Sequence, residues 1–359
     1  MKSNKRTTLV VLAAMLMAAV APITASAVPE AGDLQLQCFS DQRTAAAGGR
    51  ASVHMLFHNT SDAALEAVEL SLLTAGGLRF ADAPVHSLLD AQGKGSVWTV
   101  ERIEAGEAGS LTLIADVAAD ASGSVEIGCQ AVSAGIQVGL GSETTLTIGT
   151  EVHQPVFNGY PDGTFRPEGA MTRAETAAVI ARELNLPSAH QGETRFHDVE
   201  QGHWASGYIE SVSEAGYMIG DAERFRPEEP ITYAEWITIL LRMKAVHAVP
   251  LDVSLPNGAG HWAADSIRTA VGLGYTDIPD APDGSVPRET AAKLFAISLH
   301  RGELTDGEEQ VVQHWPDVPK TSPWFGWIEE LSMKAHESEQ QGLLKERLIE
   351  YRPEETEPF

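Results

Sequence analysis

The residues best placed to do chemistry are a few arginines and tryptophans that recur at fixed spacing. Arg173 stands inside Thr172-Arg173-Ala174-Glu175, followed by an Ala-rich run that reads as a helix. This is a capping-box sequence: Thr172 is placed to accept from a first-turn N–H, and Glu175 to accept from the N–H of the cap residue. Arg173 then occupies the first helical position, beside unpaired backbone donors and the positive end of the helix dipole. The dipole does not favour an arginine there, so its position makes better sense with an anion in the adjacent groove, where helix N–H groups and guanidinium would converge. A second copy, Ile231-Thr232-Tyr233-Ala234-Glu235, keeps the box but puts Tyr233 at the arginine position. In the third, Val286-Pro287-Arg288-Glu289-Thr290, Arg288 stays in register while Pro287 replaces the cap and Thr290 the glutamate. Three tryptophans, Trp204, Trp262 and Trp324, lie between and after these copies; each could offer a flat platform to a sugar or pack in the core. Asp198, in Phe196-His197-Asp198-Val199, and Asp317, in Trp315-Pro316-Asp317-Val318, precede two of them.

These residues belong to a repeat of roughly 60 residues. Gly159-Tyr160-Pro161-Asp162-Gly163-Thr164-Phe165-Arg166-Pro167 leads into the first capping box, and Gly220-Asp221-Ala222-Glu223-Arg224-Phe225-Arg226-Pro227 into the second. A degenerate third loop begins near Ala281. A period of this length means one supersecondary unit used several times. Within the loop, Gly163 can supply a positive φ, Phe165 is expected to anchor on the core, and Pro167 to keep Arg166 extended. Arg166 and Arg226 read as solvated loop residues.

Residues 28–150 differ. Alternating runs such as Leu34 to Cys38, Val53 to Phe57, Val68 to Leu72 and Leu111 to Val117, separated by Gly-, Asp- and Ser-rich turns, predict an immunoglobulin-like all-β sandwich. A linker is expected at 151–155, the repeats over 156–345, and an acidic tail at 346–359. Residues 1–27 have the form of a cleaved export signal, with Lys2, Lys5 and Arg6 ahead of an apolar run and Ala25-Ser26-Ala27 at its end. Those are three of the 25 basic residues, so cleavage leaves 22 against 50 acidic ones. Such a charge argues against nucleic acid as a partner. No other stretch is long enough to be a membrane span. Export permits a disulfide between Cys38 and Cys129, but sequence leaves open whether their strands are neighbours.

Together the phrases Gly-Tyr-Pro-Asp-Gly-Thr-Phe-Arg-Pro, Thr-Arg-Ala-Glu, Phe-x-Asp-Val and His-Trp-Ala resemble the S-layer homology family. The resemblance spans residues 156 to about 340 and implies three repeats in permuted register, forming a mostly helical pseudo-threefold prism with grooves between repeats. It further implies a cell-surface protein of a Gram-positive-type bacterium that anchors non-covalently to anionic, pyruvylated secondary cell-wall polysaccharide. The family pattern gives Arg173 and Arg288 the ketal carboxylate, and has Asp198, Asp317, Trp204, Trp262 and Trp324 line the grooves, with Tyr233 marking a degraded one. One complete groove, at Arg173, is expected, and Arg173→Ala should weaken binding while sparing the fold.

No nucleophile elbow, His-Glu-x-x-His, phosphate loop or Cys/His cluster occurs, so neither enzymatic activity nor a cofactor or metal is expected. His54, His58 and His86 show no ligand spacing. The alternative to anchoring as the main role is a surface-lattice or partner-binding protein, whose sandwich carries the specific interaction, with a protein or with itself, while the repeats only dock it.

Overall fold

A computed structural model describes residues 30–356 except 142, 150, 151, 188–193, 201, 333 and 343. The export signal predicted over 1–27 lies outside the described residues. The first region is built from β1 (Leu34–Ser40), β2 (Thr44–Ala45), β3 (Arg50–Asn59), β4 (Leu65–Thr74), β5 (Leu78–Phe80), β6 (His86–Ser87), β7 (Ala91–Lys94), β8 (Val97–Ile103), β9 (Ala108–Val117), β10 (Gly123–Ser133), β11 (Ile136–Leu140) and β12 (Thr144–Ile148). One sheet runs β1-β3-β9-β5 with β6 also on β9; the other runs β2-β12-β10-β4-β8-β7 with β11 on β10. The two pack as a sandwich around Leu36, Val53, Met55, Phe57, Leu70, Trp98, Leu113 and Ile127. Cys38 on β1 and Cys129 on β10 form a disulfide between the sheets, with Cα atoms 6.0 Å apart.

Strand β3 is buried on both faces. Val53, Met55 and Phe57 enter the sandwich core, while Leu56 joins Phe39 and Ala108 in the core of the second region. Polar groups follow the same seam. Ser110 donates to the Gly272 carbonyl (3.0 Å), and Lys244 Nζ lies 2.6 Å from Asp41 Oδ1. The sandwich is therefore packed against the repeats through a shared apolar face.

The predicted linker and tail are both corrected. Val152–His153 form a strand, β13, and Lys345–Tyr351 form β16. With β14 (Glu303–Thr305) and β15 (His336–Gly342) they make a four-stranded sheet, ordered β13-β15-β16-β14. Apolar side chains explain the strand where composition suggested a tail: Leu348 is fully buried, and the Tyr351 hydroxyl accepts from the Val312 N–H.

Between these strands lie helices α1 (Arg173–Glu183), α2 (Ser206–Glu214), α3 (Tyr233–Met243), α4 (Ala264–Gly272), α5 (Arg288–Ser298) and α6 (Phe325–Glu330). They pack pairwise, α1 on α2, α3 on α4 and α5 on α6. Both predicted capping boxes form: Thr172 and Thr232 accept from the Glu175 and Glu235 N–H groups, and those glutamates accept from the threonine N–H groups. Pro287 caps α5 without any side-chain hydrogen bond.

A ring of three backbone hydrogen bonds joins the repeats. Met171 N–H donates to Val286 O (2.9 Å), Val286 N–H to Ile231 O (3.0 Å), and Ile231 N–H to Met171 O (2.8 Å). All three side chains are fully buried. The chain closes on itself through its ends as well. Asp317, from the segment ahead of α6, accepts from the Phe165 and Arg166 N–H groups in the first loop (3.0 and 2.7 Å). Asp198 does the same for Phe225 and Arg226 (both 2.8 Å). The last Trp segment thus pairs with the first loop, which is the permuted register.

Candidate functional site: three seams between repeats

Each seam sets the start of one capped helix against the loop of the next repeat. At the first, the Arg173 N–H donates to Glu229 O (3.0 Å) and the Ala174 N–H to Pro227 O (2.9 Å). The second repeats this with Tyr233 to Gly284 O (3.0 Å) and Ala234 to Pro282 O (2.9 Å). The third does so with Arg288 to Gly169 O and Glu289 to Pro167 O (both 2.9 Å). The helix-start donors that sequence left open for an anion are therefore taken by loop carbonyls. These pairings also fix the register of the third loop. Pro282 occupies the place of Pro167 and Pro227, so Pro282-Asp283-Gly284 is not a copy of the Pro161-Asp162-Gly163 turn.

The side chains follow the same rotation. Arg173 Nε donates to Phe225 O (2.7 Å), and Arg288 Nε to Phe165 O (2.9 Å). Arg173 Nη1 lies 2.5 Å from Glu235 Oε1, and Arg288 Nη1 3.3 Å from Glu175 Oε1. At the middle seam Tyr233 and Thr290 hold the arginine and glutamate positions, and the Thr290 hydroxyl lies near enough to the Tyr233 phenol to act on it. The two departures seen separately in the sequence are one pair, a neutral replacement for an ion pair.

Arg173 and Arg288 are each only 3% exposed, and Tyr233 8%. Burial pulls the Arg173 pKa down against the opposing charge of Glu235, though a guanidinium stays ionised. The capping glutamate has two tasks at once: Glu235 bonds the Thr232 N–H through Oε2 and Arg173 through Oε1. Arg173 and Arg288 thus fasten neighbouring repeats together. Arg173→Ala would leave Glu235 without its buried partner, contrary to the expectation that it spares the fold.

Asp198 and Asp317 likewise hold the loops. Arg226 and Arg166 adopt left-handed φ values of 62° and 58°, not the extended conformation expected ahead of proline. That conformation turns two successive N–H groups toward one carboxylate, a nest that offsets the strain. Those bonds hold the Asp198 pKa low even though burial opposes the shift. Gly163, as expected, takes a positive φ of 83°. Gly159 and Gly220 are required for a different reason: a Cβ would collide with Trp315 at the first and Phe196 at the second.

The tryptophans divide. Trp204 is 57% exposed and Trp262 65%, so the core reading fails for both. Each stands beside a histidine that ties it to the next loop, His203 Nε2 to Glu228 (3.0 Å) and His261 Nε2 to Asp283 (3.1 Å). The ring pairs His203–Trp204 and His261–Trp262 have centroids 5.9 and 5.4 Å apart. Trp324 is not their counterpart. It caps α6, where Ala205 and Ala263 precede α2 and α4, so Pro323 holds the equivalent position; its half-buried ring lies 5.7 Å from Lys293 Nζ.

Arg226 is the group sequence reasoning passed over. Its Nη2 lies 3.3 Å from Glu235 Oε1 and its Nη1 3.3 Å from Glu229, with the side chain 34% exposed and Nε buried without a partner. At the third seam Arg166 lies over the Tyr160 ring (3.8 Å to the centroid) and pairs with Asp162 (2.8 Å). Their recurrence ahead of Pro167 and Pro227 was the available signal. Arg166 and Arg226 are thus far more exposed than Arg288 and Arg173.

Residues 154–177 and 195–236 match the S-layer homology domain family. The chain is similar to a cellulosome-anchoring protein of Acetivibrio thermocellus, 33% identical over 184 residues, covering 48% of this chain and 40% of that protein. It also resembles an S-layer protein of Bacillus licheniformis, 31% identical over 147 residues, or 39% of this chain and 17% of the relative. The chain thus spans less than half the length of either. A type I cohesin structure from Pseudobacteroides cellulosolvens overlays 32% of this chain and 92% of its own at 14% identity, with a TM-score of 0.21, too low to support any statement about binding. Motifs, ring closure and these matches agree: this cell-surface chain carries S-layer homology domain repeats, in permuted register behind a β-sandwich.

Proposed function

We propose that the repeats form a pseudo-threefold prism that fastens this protein non-covalently to the cell wall, by binding anionic, pyruvylated secondary wall polysaccharide along the seams. The proposed role is one of binding, without catalysis. The observation that carries this reading is the exposure of Trp204 and Trp262. A protein does not gain stability by holding two large rings in water, whereas a sugar face stacked on each would cover that surface. The charge pattern supports the same reading: a chain this acidic needs placed cations to hold an anion, and Arg226 and Arg166 stand at the outer edges of two seams.

Ligand carboxylates would compete with Glu235 and Asp162 for these arginines. Binding through Arg173 or Arg288 would need their buried ion pairs to open, so both enter as second contacts, with Tyr233, Asp198 and Asp317 shaping the walls. Sedimentation with purified wall sacculi tests the proposal. The intact chain should pellet with untreated sacculi and stay in solution once the secondary polymer is extracted. Unchanged pelleting after extraction would contradict it.

A further inference from the structure

We propose that His153, Glu330 and His336 form a binding site for a divalent transition ion of the zinc class. Sequence offered no hint of it, because the three residues come from β13, the end of α6 and β15. Folding brings them together: one ligand atom from each lies within 4.8 Å of the others. His153 Nδ1 is 2.7 Å from Glu330 Oε1, and His336 Nε2 is 2.8 Å from Glu330 Oε2. Two imidazoles and one carboxylate are a donor set that suits zinc and its neighbours, and disfavours calcium or magnesium, which take oxygen ligands.

The surroundings call for positive charge. The Glu330 side chain is fully buried, and Glu346, with its side chain 4% exposed, brings Oε2 to 3.5 Å from His153 Nδ1. Two buried carboxylates beside two imidazoles need either protons on the rings or a cation among them. The outer contacts accommodate the cation. His336 Nδ1 lies 3.3 Å from the Lys334 carbonyl, a bond it can only donate. With Nδ1 turned to that carbonyl, Nε2 is the nitrogen that faces Glu330 and can offer its lone pair to an ion held beside the carboxylate. A ring held at its second nitrogen by a backbone carbonyl is also how metal-binding histidines are oriented. Glu346 is fixed in turn by the Gly302 N–H (2.7 Å) and the Ser338 hydroxyl, close enough to act as a fourth ligand or to position a water.

Access exists. His153, Ser338 and Glu346 line a cavity of about 500 Å³, whose far side is formed by Gln42, Thr44 and Arg50 of the sandwich. An ion here would staple the strand by which the chain enters the repeats to the sheet that ends them.

The test is titration of the intact chain, stripped with chelator, first with Co²⁺ and then with Zn²⁺. One equivalent of Co²⁺ should give visible absorption of a four- or five-coordinate nitrogen–oxygen site. Zn²⁺ should displace it and raise Tm. His153→Gln, at the cavity edge, should weaken binding by about tenfold or more while leaving the far-UV spectrum of the metal-free protein unchanged. Absence of the band would mean a hydrogen-bonded His–Glu–His network only, and would overturn the proposal. So would a band undiminished in His153→Gln, which would place the ion elsewhere on the acidic surface. Should that variant fail to fold, histidine ring resonances of the unaltered chain decide: one equivalent of Zn²⁺ must shift two of them, and no shift overturns the site.

Discussion

Arg288 on α5 reaches Glu175 on α1, with Nη1 3.3 Å from Oε1, and that contact joins the last capped helix to the first. Arg173 and Glu235 make the same contact between α1 and α3. The third member, Tyr233 with Thr290, completes the circuit without charge. The arginine of the repeated motif is therefore first an assembly device, and any ligand role must be read on top of that one.

Breaking a buried ion pair by removing one partner costs about 3–5 kcal/mol. Arg173→Met and Glu235→Gln should each lower unfolding stability on that scale, whereas Tyr233→Phe, which removes only a neutral hydroxyl beside Thr290, should cost about 1 kcal/mol or less. Denaturant unfolding of the three variants checks the ranking. Equal costs would show that the seams are not fastened as described.

Trp204→Ala and Trp262→Ala remove exposed rings, so each should change stability by no more than about 0.5 kcal/mol. The double variant should nonetheless lose most of its sedimentation with sacculi. Full binding by a stable double variant would remove the sugar-platform role from both residues.

Asp41 is buried where the sandwich meets the repeats, facing His54, Lys244, His300 and the Tyr275 ring. Burial pushes its pKa up, but the charges of His54 and Lys244 outweigh this and hold it well below the ordinary value. A depressed carboxylate pKa adds stability that is complete above the unfolded value of about 4 and fades as pH falls toward the folded one. The stability gap between the unaltered chain and Asp41→Asn should therefore shrink as pH falls below about 4. At neutral pH the variant should be less stable by several kcal/mol, because Lys244 loses its buried partner. Urea midpoints across pH supply the comparison.

The Cys38–Cys129 bond spans 91 residues and joins the two sheets. A loop of that size is worth about 4–5 kcal/mol in lost unfolded-state entropy. Cys38→Ala with Cys129→Ala should lower stability by about that amount, measured by denaturant unfolding. A loss below 1 kcal/mol would show that the sandwich owes little to the bond.

Local rules were legible in the sequence wherever the partner is local. The Thr172–Glu175 and Thr232–Glu235 boxes, the strand alternation and the Gly163 turn each depend on residues a few positions away, and each forms. What fails depends on distant partners. Arg173 looked like an open anion site because its neighbours leave helix donors free; those donors are met by carbonyls of residues 227 and 229. Trp324 looked equivalent to Trp204 by spacing, but a one-residue shift puts Pro323 there instead. Residues 346–359 read as a tail from their acids, while strand pairing and burial of Leu348 place 346–351 in β16. His153, Glu330 and His336 lie too far apart in sequence for any motif to join them. The sandwich likewise gave no sign that β3 would be covered on both faces.

The central claim is recognition of an acidic glycan at the seams, and calorimetric titration tests it most directly. Ketal-bearing wall-polymer fragments should bind the intact chain with saturable heat, weaken with added salt, and bind Arg226→Gln at least tenfold less tightly, while ketal-free fragments bind weakly. Equal heats from ketal-bearing and ketal-free fragments, or none from either, would contradict the account.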